Sequence, residues 1–242
     1  MIAQPTPTTI TPGIQPPPID YPDSDGQPMA DNTKQFQWIQ TIQSNLAAIF
    51  TNDPQVFVAG DLLWYPVEGD NKTRQAPDVM VVLGVSKGDR GSYKQWCENN
   101  IAPQVVFEIL SPGNRFGEML KKQAFYDTYG VEEYYIYDPD RHDLSILGRS
   151  ERGDLQLRGD RADDWVSPRL GIRFQMGEDT LTLFRPDGQP FSTLAEEIQR
   201  TEQERQRAEE EHQRAEQERE RADRLAAKLR ELGIDPEAIE SD

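Results

Sequence analysis

Hydrophobic residues at helical spacing open the folded part of the chain. Phe36, Ile39, Ile42, Leu46, Ile49 and Phe50 recur at intervals of three and four, behind the potential caps Asp31 and Asn32, and predict a helix over residues 33–50. The pattern then shortens. Val56–Tyr65 is rich in β-branched and aromatic residues and predicts one strand. Asp78–Leu83, led by Pro77, and Gln104–Leu110, apolar but for Glu108, predict two more. The stretch 84–103 has no period and reads as a long loop. A helix is expected over Phe116–Tyr129, stopped by Gly130, then a strand over Glu133–Asp138. Two hairpins follow, Asp143–Arg149 with Asp154–Arg158 and Gly171–Gln175 with Thr180–Phe184. Helices alternating with strands in this order imply an α/β fold, a mixed sheet flanked by helices.

The two ends differ from this middle. Residues 1–18 hold six prolines, so residues 1–24 read as a disordered Pro/Thr-rich arm, leaving a domain over 25–192. Residues 193–242 predict a long charged helix. Leu194, Thr201, Ala208, Ala215, Ala222 and Leu229 repeat every seven residues, but the companion positions are Glu197, Glu204, Glu211 and Glu218 before Leu225 and Leu232. A zipper needs apolar residues at both positions, so this is a weak coiled-coil seam. A solvated single helix and a helix awaiting a helical partner fit it equally.

Composition sharpens this picture. Only 36% of the 242 residues are hydrophobic, 29% are charged, and the net charge is −17. The last fifty residues contribute −7 of it. Such acidity argues against strong nonspecific nucleic-acid binding. Two histidines and the single Cys97 exclude a Cys/His zinc cluster and an internal disulfide framework. No apolar stretch is long enough to span a bilayer and no secretory signal is visible, so the expectation is a cytoplasmic protein without membrane contact.

The informative polar residues sit inside strands. Glu108 interrupts an apolar run, and a buried carboxylate needs a partner or a cation. An ion pair with Arg115 or Lys122 is the competing reading. Asp78 opens the preceding strand, and Lys122 stands one turn before Tyr126 on the next helix, with Lys121 as the rival lysine. Two carboxylates and a lysine suit phosphodiester hydrolysis. Carboxylate oxygens hold Mg²⁺, the ion activates water, and the lysine orients that water or offsets developing charge. Asp138, before Pro139, reads as a turn-capping residue, and Tyr126 as core packing or a helper to Lys122.

PDVMVV at 77–82, FEILSP at 107–112, Lys122 with Tyr126, and GVEEYYIYDP at 130–139 together resemble the Uma-two family. That is a restriction-endonuclease-type domain of cyanobacteria within the PD-(D/E)XK nuclease superfamily. DGQPMADN at 25–32, VAGDLLWYP at 58–66, PRLGIRF at 168–174 and the LAAKLRELGI helix end add to it. The resemblance spans about Asp25 to Phe191. It implies a restriction-endonuclease-like fold and metal-dependent DNA cleavage, with Mg²⁺ or Mn²⁺ as cofactor. Asp78 and Glu108 would be metal ligands, with Asp61 a third carboxylate. The superfamily's usual lysine position, two residues beyond the second acid, is here Leu110, so the lysine would come from the following helix as Lys122. DNA, bound weakly and in a salt-sensitive way, and a homodimer are the implied partners. The alternative is a non-catalytic binding or assembly module of the same fold, working through the C-terminal helix.

Overall fold

The computed structural model describes residues 19–24, 26, 28–158 and 164–232. The proline-rich arm up to residue 18 lies outside them. In chain order the elements are α1 (Thr33–Ile49), β1 (Val56–Gly60), β2 (Trp64–Tyr65), β3 (Val79–Leu83), β4 (Tyr93–Lys94), β5 (Val105–Ile109), α2 (Phe116–Thr128), β6 (Glu133–Asp138), β7 (Asp143–Arg149), β8 (Leu155–Leu157), β9 (Trp165–Val166), β10 (Arg173–Met176), β11 (Leu181–Phe184) and α3 (Leu194–Glu231). They divide into two compact units, residues 1–191 and 192–242.

The first unit is built on a six-stranded mixed sheet of order β1-β3-β5-β6-β7-β8. Only β5 and β6 run parallel, and α2 is the crossover that parallel pairing requires. Side chains alternate between the two faces. Val79, Val81 and Phe107 pack with Ile39, Ile42 and Leu46 of α1 on one face. Met80, Val82 and Val106 pack with Tyr126 of α2 and Trp64 on the other. The central strands β3 and β5 are apolar but for Glu108 because both faces are covered.

The expected strand Val56–Tyr65 is broken in two. Asp61 takes φ 47°, a left-handed conformation that ends the ladder, and its N–H donates to the carbonyls of Pro77 and Asp78. Trp64 and Tyr65 then pair in parallel with Tyr93 and Lys94, so the expected loop 84–103 contains a strand and a 3-10 turn at Gln95–Cys97. Short segments that gain stability only by pairing far along the chain carry no local period. The second expected hairpin forms as β10–β11 and gains a third strand, β9, on the other side of β10; Phe174 and Leu183 join the core on the α1 face.

The second unit contains α3. Thr193 caps it: its hydroxyl accepts the Glu196 N–H, and the Glu196 carboxylate accepts the Thr193 N–H at 2.7 Å. No residue of α3 is buried. Exposed pairs such as Glu202–Arg205 and Glu220–Arg224 run along it, screened by solvent and adding little to stability. Among the described residues no helix is long and apolar enough to cross a membrane.

Candidate active site

Strand register assembles the site. Gly60 lies opposite Val79 and Val79 opposite Phe107. One step further, the same alignment brings Asp61 beside Asp78 and Asp78 beside Glu108, at the ends of β1, β3 and β5. Alternation puts Glu108 on the face of Val106, beneath α2. Burial is nearly complete, with 2% of Glu108 exposed.

Both oxygens of Glu108 are engaged from α2. Lys122 Nζ donates to Oε2 at 2.6 Å, and the Tyr126 hydroxyl donates to Oε1 at 2.5 Å. The i,i+4 spacing of Lys122 and Tyr126 allows one carboxylate to receive both. Lys121 is exposed, and the partner of Glu108 is Lys122 rather than Arg115. Tyr126 is both packing and ligand. Its ring lies parallel to Trp64, with centroids 6.4 Å apart, while its hydroxyl holds Glu108.

Asp78 accepts the backbone N–H of Ile109 at 2.6 Å. Burial, reinforced by the facing Glu108 carboxylate, pushes its carboxyl well above the usual range, and Lys122 only partly offsets this. Burial alone would lower the Lys122 ammonium, but Glu108 and Asp78 outweigh it and raise it, so the lysine stays charged. Burial, then Glu108, holds the Tyr126 phenol in its protonated, donating form.

Asp61, Asp78 and Lys122 line an open cavity of 260 Å³ together with Asp31, Gln35 and Asn114. Several of these residues escaped the sequence reading. Gln35 is buried; its amide donates to the Ile109 carbonyl at 2.8 Å and its oxygen accepts the Asp31 N–H. The signal was present: Gln35 stands four residues before Ile39, a polar residue on an apolar helical stripe. Ser111 donates to Asp31 at 2.5 Å, tying the β5–α2 turn to the start of α1. Asp138 caps its turn as expected, accepting from Asp140 and Arg141.

The expected metal ligands Asp78, Glu108 and Asp61 converge on this region. Among the described residues, however, no three Asp, Glu, His or Cys side chains form a metal-holding group. The reason is local: Lys122 and Tyr126 occupy both oxygens of Glu108, and Asp61 sits on a turn rather than in the strand. The donor set still fits a hard divalent cation. All the candidate ligands are oxygens, the donor type such a cation takes, and Lys122 pairs with Glu108 while Asp78 is held by the Ile109 N–H.

One consequence is separable from activity. Asp78→Asn removes the cost of burying a charge, and with it the repulsion with Glu108, yet keeps an oxygen for the Ile109 N–H. The variant is expected to be more stable by about 1 kcal/mol, a rise of roughly 2–4 °C in melting temperature. A fall in melting temperature by calorimetry would mean that Asp78 is held by attraction instead.

A mixed sheet that presents two carboxylates and a helix-borne lysine at one cavity defines a candidate hydrolase of charged substrates. Residues 14–183 match the Uma2 family model, described as "Putative restriction endonuclease", and the chain belongs to that family. A crystal structure described as "a putative nuclease belonging to DUF820", from Anabaena variabilis, is similar over 57% of this chain and 72% of that chain, with 18% identity and a TM-score of 0.42. Comparison with curated proteins finds no match.

Proposed function

We propose that this protein is a divalent-metal-dependent endonuclease that hydrolyses phosphodiester bonds of DNA. The observation that carries the reading is the buried Glu108 beside Asp78, bridged by Lys122 to an open cavity. Asp78 and Glu108, with Asp61 at the rim, would hold Mg²⁺, or Mn²⁺ in its place. A bound ion of this kind polarises the phosphate and lowers the pKa of the attacking water.

The chain's own residues do the remaining work. Lys122, kept protonated by its two carboxylate neighbours, is not a resting general base. It donates hydrogen bonds, so it orients water or neutralises charge on the phosphate oxygens in the transition state. Tyr126 keeps Glu108 in place, and Gln35 and the Ile109 N–H hold the end of β5. Net acidity makes DNA binding weak and salt-sensitive. A homodimer would place two such sites for double-strand cleavage, α3 offers a surface for a helical partner, and a cytoplasmic location suits the composition.

One observation favours a second reading, a non-catalytic module. The Glu108–Lys122 pair is closed, at 2.6 Å. Purified protein on supercoiled plasmid with Mg²⁺ or Mn²⁺ separates the two. Nicking or linearisation is expected, and it should vanish in Asp78→Ala. Intact plasmid with both metals, at low and moderate salt and with folded protein, would favour the module.

A further inference from the structure

A second opening adjoins the cavity of Asp78. It measures 460 Å³, and Asn114 lines both. The strand register places it. Glu108 lies opposite Ile136, and Ile136 opposite Ser145. Both Ile136 and Ser145 form its floor, so the groove begins one strand from Glu108 and reaches two strand spacings from it, ~10 Å. That is the reach from a reacting phosphate to the base of the same or the next nucleotide.

Its chemistry differs from that of the acid pair. One wall is the first turns of α2, where Phe116 is 80% exposed and Met119 stands one turn on. The other aromatics of α2, Phe125 and Tyr126, are packed on Trp64. Phe116 therefore leaves an aromatic face in water that no part of the core recovers. The far rim carries Asp138, Asp140 and Asp143, with Arg115 and Arg141 also lining the groove. Lys34 offsets Asp140 at 2.5 Å. Asp138 pairs with Arg141 at 3.7 Å, so among the described residues Asp143 is the rim carboxylate outside an ion pair. A neutral base suits this lining: its ring can bury against Phe116 and Met119, while its exocyclic amino group donates to Asp143. Arg115, next to Asn114 on the active-site side, suits the adjoining phosphate.

We propose that this groove takes an unpaired nucleobase of a DNA strand, with Phe116 as its stacking platform. The substrate class is then single-stranded DNA, or DNA with an unpaired segment, because a paired base within a duplex stack cannot present its ring to Phe116 without being extruded. The inference deepens the nuclease reading and rests on it for the phosphate next door.

Fluorescence anisotropy with a labelled single-stranded 15-mer of deoxyadenosine and deoxycytidine, and with a blunt duplex of the same length, in EDTA, reads binding without cleavage. The single strand is expected to bind more tightly than the duplex. Phe116→Ala, a surface change, should weaken single-strand binding roughly ten-fold or more and leave the duplex unaffected. Phe116→Trp should retain binding, with its added tryptophan fluorescence quenched by the bound strand. Preference for the duplex, or equal single-strand binding by Phe116→Ala, overturns the proposal. Plasmid assays on the same proteins separate the two readings. Metal-dependent cleavage by wild type with strand binding indifferent to Phe116 removes the base groove and keeps the nuclease. Phe116-dependent strand binding without cleavage under any metal removes the nuclease and keeps the groove.

Discussion

Glu108→Gln is expected to reduce plasmid cleavage by a factor on the order of 10²–10³ or more while the domain stays folded. The amide removes one of the three carboxylate charges proposed to hold the cation, and it no longer neutralises Lys122, which sits 2.6 Å from Oε2. It keeps an acceptor for the Tyr126 hydroxyl, so the packing of α2 on the sheet survives. Glu108→Ala is a different experiment. It strands the Tyr126 hydroxyl, which is fully buried, and leaves Lys122 without its closest counter-charge. Removing one partner of a buried pair costs about 3–5 kcal/mol. The Lys122 side chain is 23% exposed and can turn toward the cavity, so the lower end applies. Circular dichroism and melting curves on both variants, run beside the plasmid assay, separate lost chemistry from lost structure. Wild-type cleavage by Glu108→Gln with Mg²⁺ would remove Glu108 from the site.

The second large effect is structural. Trp64→Ala should destabilise the first unit by about 3–5 kcal/mol, lowering the melting temperature by roughly 6–20 °C. Trp64 is fully buried, lies parallel to Tyr126 and meets Phe125 and Tyr129 edge-on, at 5.2 and 6.2 Å. Its indole N–H donates to Gln95 at 3.1 Å. Removing it undercuts Phe125 and Tyr126 of α2 and Tyr129 at its C-cap, and frees the segment that aims Lys122 and Tyr126 at Glu108. Cleavage should therefore fall even below the melting transition. A melting temperature within about 2 °C of wild type would show that the surrounding aromatics close over the space.

Both effects trace to the same division of labour. The i,i+4 pair Lys122–Tyr126 and the isolated Glu108 were legible from residue type and spacing, because a charge in an apolar strand and a polar pair on one helix face need no partner to be noticed. Their partnership was not. Arg115 competed with Lys122 for Glu108 until the crossover geometry put Lys122 against it. Gln35 was readable in principle from its place on the stripe of Ile39, Ile42 and Leu46, but its target, the Ile109 carbonyl, is remote in sequence.

By itself the sequence determined the element order, the helices α1, α2 and α3, the central strands β3, β5 and β6, and the resemblance to its family. Period and composition encode these locally. Tertiary structure alone decided the break at Asp61, the β2–β4 pairing across the expected loop, the third strand beside β10 and β11, and the engagement of both Glu108 oxygens. Each of these depends on backbone or side-chain groups far apart in the chain that find one another only once the sheet register is set. Local hydrophobic periodicity carries no record of that register.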